Sequence, residues 1–297
     1  MSTSICAGCP AYKKSKNRHV LLLIAFVTIG SLCYYPVMQI ITTHIYADFD
    51  TLASMVAAKK LYPEARLVFP GSLEKGLKKA VQDLRPAYTF DKIKDIDLDA
   101  ITRLILVDIR EPGRIGRFEE VIGRKGLDIH IYDHHPSTPH DAHGSVEVIK
   151  NYGSTTTILS LIIKQKGIGL TPQEATTLMA GIYEDTGSLG FPSTTVEDYE
   201  ASAFFLSNGA DLIKVAEFLK KELTPDEISA LNELIQSETT YTIAGIDVVI
   251  SIVSLEKFKG DISILAHRLK DIEGMRCLFL LAEMADRVHI VARSAIL

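Results

Sequence analysis

Cysteine is scarce in this 297-residue chain. Cys6, Cys9, Cys33 and Cys277 are too few and too scattered to form a disulfide framework, which predicts a reducing compartment. Cys6 and Cys9 make a single CxxC; without a second pair it is a weak metal or redox signal and is assigned no role. Excess positive charge is absent too. A net charge of -5 and a pI near 6.0 argue against a broad electrostatic grip on duplex nucleic acid. Short nucleotides stay open, because a metal site can hold a phosphate without a basic surface. With 47% hydrophobic and 23% charged residues, the composition is that of a globular protein long enough for two domains with their own cores.

The first 37 residues lack a convincing small-residue cleavage site, although Lys13, Lys14, Lys16 and Arg18 precede an uncharged apolar run from Val20 to Tyr35. That layout suits a signal peptide or a short anchor, but the run falls short of the roughly 20 residues a spanning helix needs, and Pro36 interrupts it. Met38 stands directly before the strand-like QIITTH, where a compact domain would begin. Residues 1–37 are therefore read as an extension or a mis-assigned start ahead of a cytoplasmic protein, the alternative being a membrane anchor through residues 20–35.

What the chain does have is a set of metal-binding residue types at the ends of apolar stretches. In LDIHIY, Leu127 to Tyr132, Ile129 and Ile131 alternate as in a strand, and the stretch empties into Asp133-His134-His135. The strand-like run Gln39 to Thr42 leads to His44, Asp48 and Asp50; LILV, Leu104 to Val107, ends on Asp108; and Asp185 lies in GIYEDTGSL. Helical periodicity over Thr51 to Leu61 and Ser72 to Leu84, with a strand at Leu67 to Phe69 between them, gives strand and helix in alternation. This predicts an α/β fold, a mainly parallel sheet with helices on both faces. Ligands of such sheets gather beyond the carboxyl ends of the strands. The groups at 44 to 50, 108 and 133 to 135 all fall there. Asp48 and Asp50, two apart in a loop, can serve neighbouring cations; Asp50 can also cap the helix expected from Thr51. Carboxylate-rich ligands with few nitrogens favour Mn²⁺ or Mg²⁺.

His44-x3-Asp48-x-Asp50-x3-Ser54, then Asp108, Asp133-His134-His135 and Asp185, in that order, resemble the DHH phosphoesterase superfamily, from about Met38 to the end of the chain. THIYADFDTLASMVAAKKLYP and DRVHIVARS are similar to the DHH region joined to CBS and tRNA nucleotidyltransferase domains in some bacterial proteins. The resemblance implies that His44 and Asp48 bind one divalent cation, that Asp50, His134 and Asp185 bind a second, and that Asp108 bridges them. Asp133 would orient an imidazole and His135 would contact the scissile phosphate. The reaction implied is two-metal phosphoester hydrolysis without a covalent nucleophile.

Asn151 to Thr157 opens an apolar helix, Ile158 to Lys164, and offers Ser154 and Thr155 to a phosphate, with Gly153 allowing close approach; an ordinary cap is the competing reading. Among Arg110, Arg114 and Arg117, Arg114 is carried as a substrate contact. The expected organisation is a DHH domain over 38–190, a helical connector over 191–223 broken at Asn208-Gly209, and an α+β DHHA1-like domain over 224–297 with a hairpin at Ala244-Gly245. The sequence ends after Arg293 without the family's glycine-rich GGGH segment, leaving Arg293 as the phosphate contact from this domain. Expected substrates are small nucleotides or short single-stranded oligonucleotides such as nanoRNA, pAp or cyclic dinucleotides. Homodimerisation and association with tRNA nucleotidyltransferase domains are the expected partnerships. The alternative function is a weakly active or non-catalytic module with a binding or RNA-processing role.

Overall fold

The apolar run before His44 becomes the first strand of a six-stranded sheet in the computed structural model, which describes residues 38–74, 76–220, 223–255, 258, 260, 262–273, 277–284 and 287–294. Cys6, Cys9, Cys33 and the run from Val20 to Tyr35 lie outside the described residues. No helix among the described residues is long and apolar enough to cross a membrane.

Two compact units divide the chain, one ending at Leu219 and the other running from Lys220 to Leu297. In the first, β1 (Met38–Thr42), α1 (Phe49–Leu61), β2 (Arg66–Phe69), α2 (Leu77–Leu84), β3 (Phe90–Lys92), β4 (Ile101–Val107), α3 (Glu119–Ile122), β5 (Asp128–Asp133) and β6 (Val146–Ile149) build a sheet of order β3-β2-β1-β4-β5-β6. Every pairing in it is parallel. Four helices follow: α4 (Thr155–Gln165), α5 (Pro172–Asp185), α6 (Val196–Ser207) and α7 (Leu212–Leu219).

Strand alternation divides the core in two. Ile41, Ile105 and Tyr132 face the side packed by α1, α4 and α5, while Ile40, Leu104, Leu106, Ile129 and Ile131 face a second cluster with Ile115, Phe118 and Val121. Helices surround the sheet as expected, but that second side is covered by 3-10 turns and the single turn α3. The order also places a reversal between β1 and β4: the chain runs outward through β2 and β3 on one side, and through β5 and β6 on the other. A crevice opens beyond the carboxyl ends of the strands at such a reversal.

Several boundaries differ from the sequence expectation. The amphipathic segment from Ser72 becomes helical only at Leu77, because Leu73 bridges Ala47 and the amide of Glu74 donates to the Ala47 carbonyl. The helices expected to form a connector belong to the first unit, where Phe205, Val215 and Phe218 complete its core. In the second unit, α8 (Pro225–Gln236) and α9 (Ile262–Glu273) pack against a four-stranded sheet of β7 (Glu238–Ile243), β8 (Ile246–Ser254), β9 (Cys277–Met284) and β10 (Arg287–Ser294). Thr224 begins α8 with a reciprocal capping box, and Ala244 and Gly245, both at positive φ, make the two-residue hairpin turn.

Candidate metal centre

β1 and β4 are neighbours in the sheet, so the residues just past their ends, His44 and Asp108, meet at the reversal point. Asp108 leaves β4 with φ of 61°, a left-handed conformation that aspartate tolerates better than most residues. Its amide donates to the Tyr132 carbonyl, extending the β4–β5 ladder into the loop. Its carboxylate is buried and accepts a hydrogen bond of 2.8 Å from Thr155 Oγ1.

Two overlapping sets of ligand atoms share that carboxylate. His44, Asp48 and Asp108 form one, and Asp50, Asp108, His134 and Asp185 the other; within each set the atoms lie no more than 4.8 Å apart. His44 Nε2 is 3.5 Å from Asp108 Oδ2 and 3.8 Å from Asp48 Oδ2. His134 Nε2 is 3.2 Å from Asp185 Oδ2 and 3.6 Å from Asp108 Oδ1. A third grouping joins Asp108, His134 and His135.

The histidine hydrogen bonds orient both imidazoles for this purpose. Nδ1 of His134 lies 3.0 Å from the Tyr152 carbonyl and Nδ1 of His44 2.7 Å from the Ile45 carbonyl, so each must donate there and each turns Nε2 toward the carboxylates. His134 Nε2 is buried and has no aligned hydrogen-bond partner. A buried polar atom left this way among three carboxylates fits a cation ligand. The donor set, two imidazole nitrogens and four carboxylates, suits Mn²⁺ and similar divalent ions.

The electrostatics agree. Burial, reinforced by Asp185, pushes the Asp50 carboxyl up to about 7 against the pull of His134 and Thr156. Burial and the neighbouring carboxylates Asp50, Asp48 and Asp185 likewise raise Asp108 well above the usual range. Burial lowers the His134 imidazole, but its contact with Asp185 and the charge of Asp50 outweigh that, and its pKa rises to about 9. In a cation-free protein that proton offsets part of the negative charge that a divalent ion would otherwise balance.

Asp133 and His135 form a separate arrangement. Asp133 is buried; its Oδ1 accepts from His135 Nδ1 at 2.7 Å and its Oδ2 from Arg110 Nε at 2.7 Å. Burial would raise this carboxyl, yet the bonds from His135 and Arg110 hold it below its ordinary value. The ring of His135 is half-exposed at 46%. Arg110, a sequence candidate for phosphate, instead is buried: it also donates to Ser137 Oγ and the His135 carbonyl and pairs with Asp141.

The α4 N-terminus differs most from expectation. Asp48, not Asp50, caps α1, its Oδ1 accepting from the Thr51 amide. Asp50 sits inside the first turn of α1 and accepts from the Thr155 and Thr156 amides at 2.9 and 3.0 Å. Thr157 N donates to Ser154 Oγ and Gly153 N to Asp198 Oδ2. The amides expected to receive a phosphate thus hold two of the protein's own carboxylates and a cap, and Ser154 and Thr155 are fully buried. Gly153 does permit a close approach, but of Asp198, whose Oδ2 would lie 2.5 Å from an added Cβ. Arg114 is exposed and supports the site through its carbonyl, which accepts from Ile45 N. Arg293 lies in the second unit, on β10.

The comparisons with known proteins bear on this site directly. Residues 39–182 match the DHH family, N-terminal domain. The chain carries a DHH-family domain. It is 45% identical over 260 residues to an A-adding tRNA nucleotidyltransferase of Geobacter sulfurreducens, a match covering 87% of this chain and 30% of that protein. It is 27% identical over 182 residues, 60% of this chain, to 54% of a Streptococcus mutans protein named a probable bifunctional oligoribonuclease and PAP phosphatase NrnA. Among solved structures, an exopolyphosphatase-related protein from Bacteroides fragilis shares the fold with a TM-score of 0.67 at 15% identity, over 87% of this chain and 79% of that one. The DHH family is a divalent-metal-dependent phosphoesterase family, and all six expected ligands of this DHH domain come together at its sheet reversal.

Proposed function

We propose that the chain is a two-metal phosphoesterase acting on small nucleotides or short oligonucleotides. The observation that carries this reading is the convergence of His44, Asp48, Asp50, His134 and Asp185 in two sets on the one carboxylate of Asp108. Two bound cations would supply Lewis acidity toward phosphoryl oxygens and lower the pKa of a water. Asp50 is held ready by two α4 amides, Asp108 by Thr155, and His134 and His44 by backbone carbonyls, so little reorganisation is needed on loading. His135, steadied through Nδ1 by Asp133, has a half-exposed ring that is available to contact a phosphoryl oxygen.

Phosphate or nucleotide release from short RNAs, pAp and cyclic dinucleotides, measured with Mn²⁺ and then Mg²⁺ on wild type beside Asp108→Ala, tests it. Turnover that needs the cation and disappears in the variant is the expected result; no release from any member of the panel would count against it.

A second reading is favoured by the match to A-adding tRNA nucleotidyltransferase, of which this chain spans 30%. Here the DHH domain is a binding or RNA-processing module associated with nucleotidyltransferase domains. A cation-loaded chain that hydrolyses nothing but binds tRNA would support this reading over the first.

A further inference from the structure

Five non-glycine residues among those described have positive φ, and four of them border the metal centre: Tyr46, Asp108, Ser188 and Leu189. Strained backbone collects at functional sites because the surrounding structure must maintain it. Asp108 is explained by its ligand position, and Ser188 and Leu189 follow Asp185 in a tight turn whose amides donate to Tyr183 O and Thr186 Oγ1. Tyr46 has no such account. It is a bulky aromatic at φ of 60°, a genuine outlier for its type, and its side chain is 70% exposed, so burial contributes nothing to holding it there.

The loop around it is fixed on each side. Ile45 N donates to Arg114 O, Ala47 N to Ser72 O, Glu74 N to Ala47 O, and Asp48 N to Thr51 Oγ1. Ile45 packs so closely on Gly71 that a Cβ there would lie 2.9 Å from Ile45 Cγ2. A loop pinned through its backbone therefore carries an exposed aromatic ring two residues from His44 and two from Asp48. No hydrogen bond or ring contact within the described residues occupies that ring. An aromatic face on a pinned loop, beside a group that holds phosphate, suits stacking with a planar heteroaromatic group, and every nucleobase offers one.

We propose that Tyr46 is the nucleobase platform of this site, a specificity-determining residue that favours nucleotides over base-free phosphate esters. The proposal rests on the phosphoesterase reading. Glycine at this position would relax the backbone and remove the platform together.

The protein contains no tryptophan, so Tyr46→Trp introduces a single reporter at the platform. With Mn²⁺ present, AMP is expected to quench this fluorescence and ribose 5-phosphate is not. Calorimetry on the full wild-type chain should show AMP binding roughly tenfold or more tighter than ribose 5-phosphate. That preference should persist in Tyr46→Phe and vanish in Tyr46→Ala and Tyr46→Gly. Tyr46→Gly should also raise the melting temperature, which separates a lost platform from a damaged fold. Equal binding of the two probes to wild type, or a preference that survives in Tyr46→Gly, overturns the platform and leaves the phosphoesterase reading standing. Mn²⁺ binding without binding of either probe overturns both.

Discussion

Arg110 shows how much of this site depends on residues that touch no ligand. Its guanidinium is buried and divides its donors among Asp133, Ser137, Asp141 and the His135 carbonyl, so it fixes both the loop and the carboxylate that orients His135. Arg110→Ala would leave the Asp133 carboxylate buried without its cation, a change expected to lower stability by about 3 kcal/mol, read from urea unfolding. Arg110→Lys should recover only part, because an ammonium cannot reproduce the planar fork. The candidate ligands could be picked out in the sequence, since a polar residue just past an apolar run in an alternating chain has one place to go. Arg110 was not, because a buried and a solvated arginine look alike in a sequence. Asp48 rather than Asp50 caps α1 because helix starts are read only to within a residue or two, and two residues decide which carboxylate caps α1 and which reaches α4.

Between elements, the centre is held by close packing of α1, α4 and α5. Gly181 lies where α5 meets α1: an added Cβ would sit 2.6 Å from Ala53 Cβ, 2.9 Å from Thr156 Oγ1 and 3.2 Å from the Phe49 carbonyl. Gly181→Ala should push α5 from α1, cost about 1–3 kcal/mol and weaken cation binding as Asp185 separates from Asp50; calorimetric Mn²⁺ titration checks the second effect. At its N-terminus α5 is held by Glu174, which accepts from Lys60, Tyr88 and the Thr171 amide. Burial alone would raise this carboxyl, but those partners hold it below its ordinary 4.5. A depressed folded pKa means stability fully present above 4.5 and lost as pH falls through the folded value. Glu174→Gln is therefore expected to cost about 1–2 kcal/mol near neutral pH, with the difference from wild type shrinking in acid unfolding curves below pH 4.5. The helices α1, α2 and α4 followed from periodicity, whereas α5, which carries Asp185, was not foreseen. The edge strands β3 and β6, FDK and VEVI, were missed: each is three or four residues long, too short for alternation to distinguish from a loop.

At the scale of the whole molecule, the site follows from topology. A parallel sheet that reverses between β1 and β4 brings His44, Asp108 and the DHH loop to one crevice, and α5 delivers Asp185 from the other side of α1. The contributing stretches, at 44–50, 108, 134 and 185, are far apart in sequence, so the order of the motifs predicted the constellation while its distances needed the fold. At the α4 N-terminus a phosphate contact and an ordinary cap both stayed open for the same reason. Nothing local distinguishes amides that receive a substrate phosphate from amides that receive Asp50, a residue 105 positions away.

The central claim is that this crevice holds two divalent cations on one shared carboxylate. Counting Mn²⁺ bound per chain by electron paramagnetic resonance, for wild type and Asp108→Ala at the same protein concentration, tests it most directly. Two ions per wild-type chain, with both sites lost or strongly weakened by the single substitution, is the predicted result. One ion per chain, or two ions that bind Asp108→Ala as tightly as wild type, would contradict it.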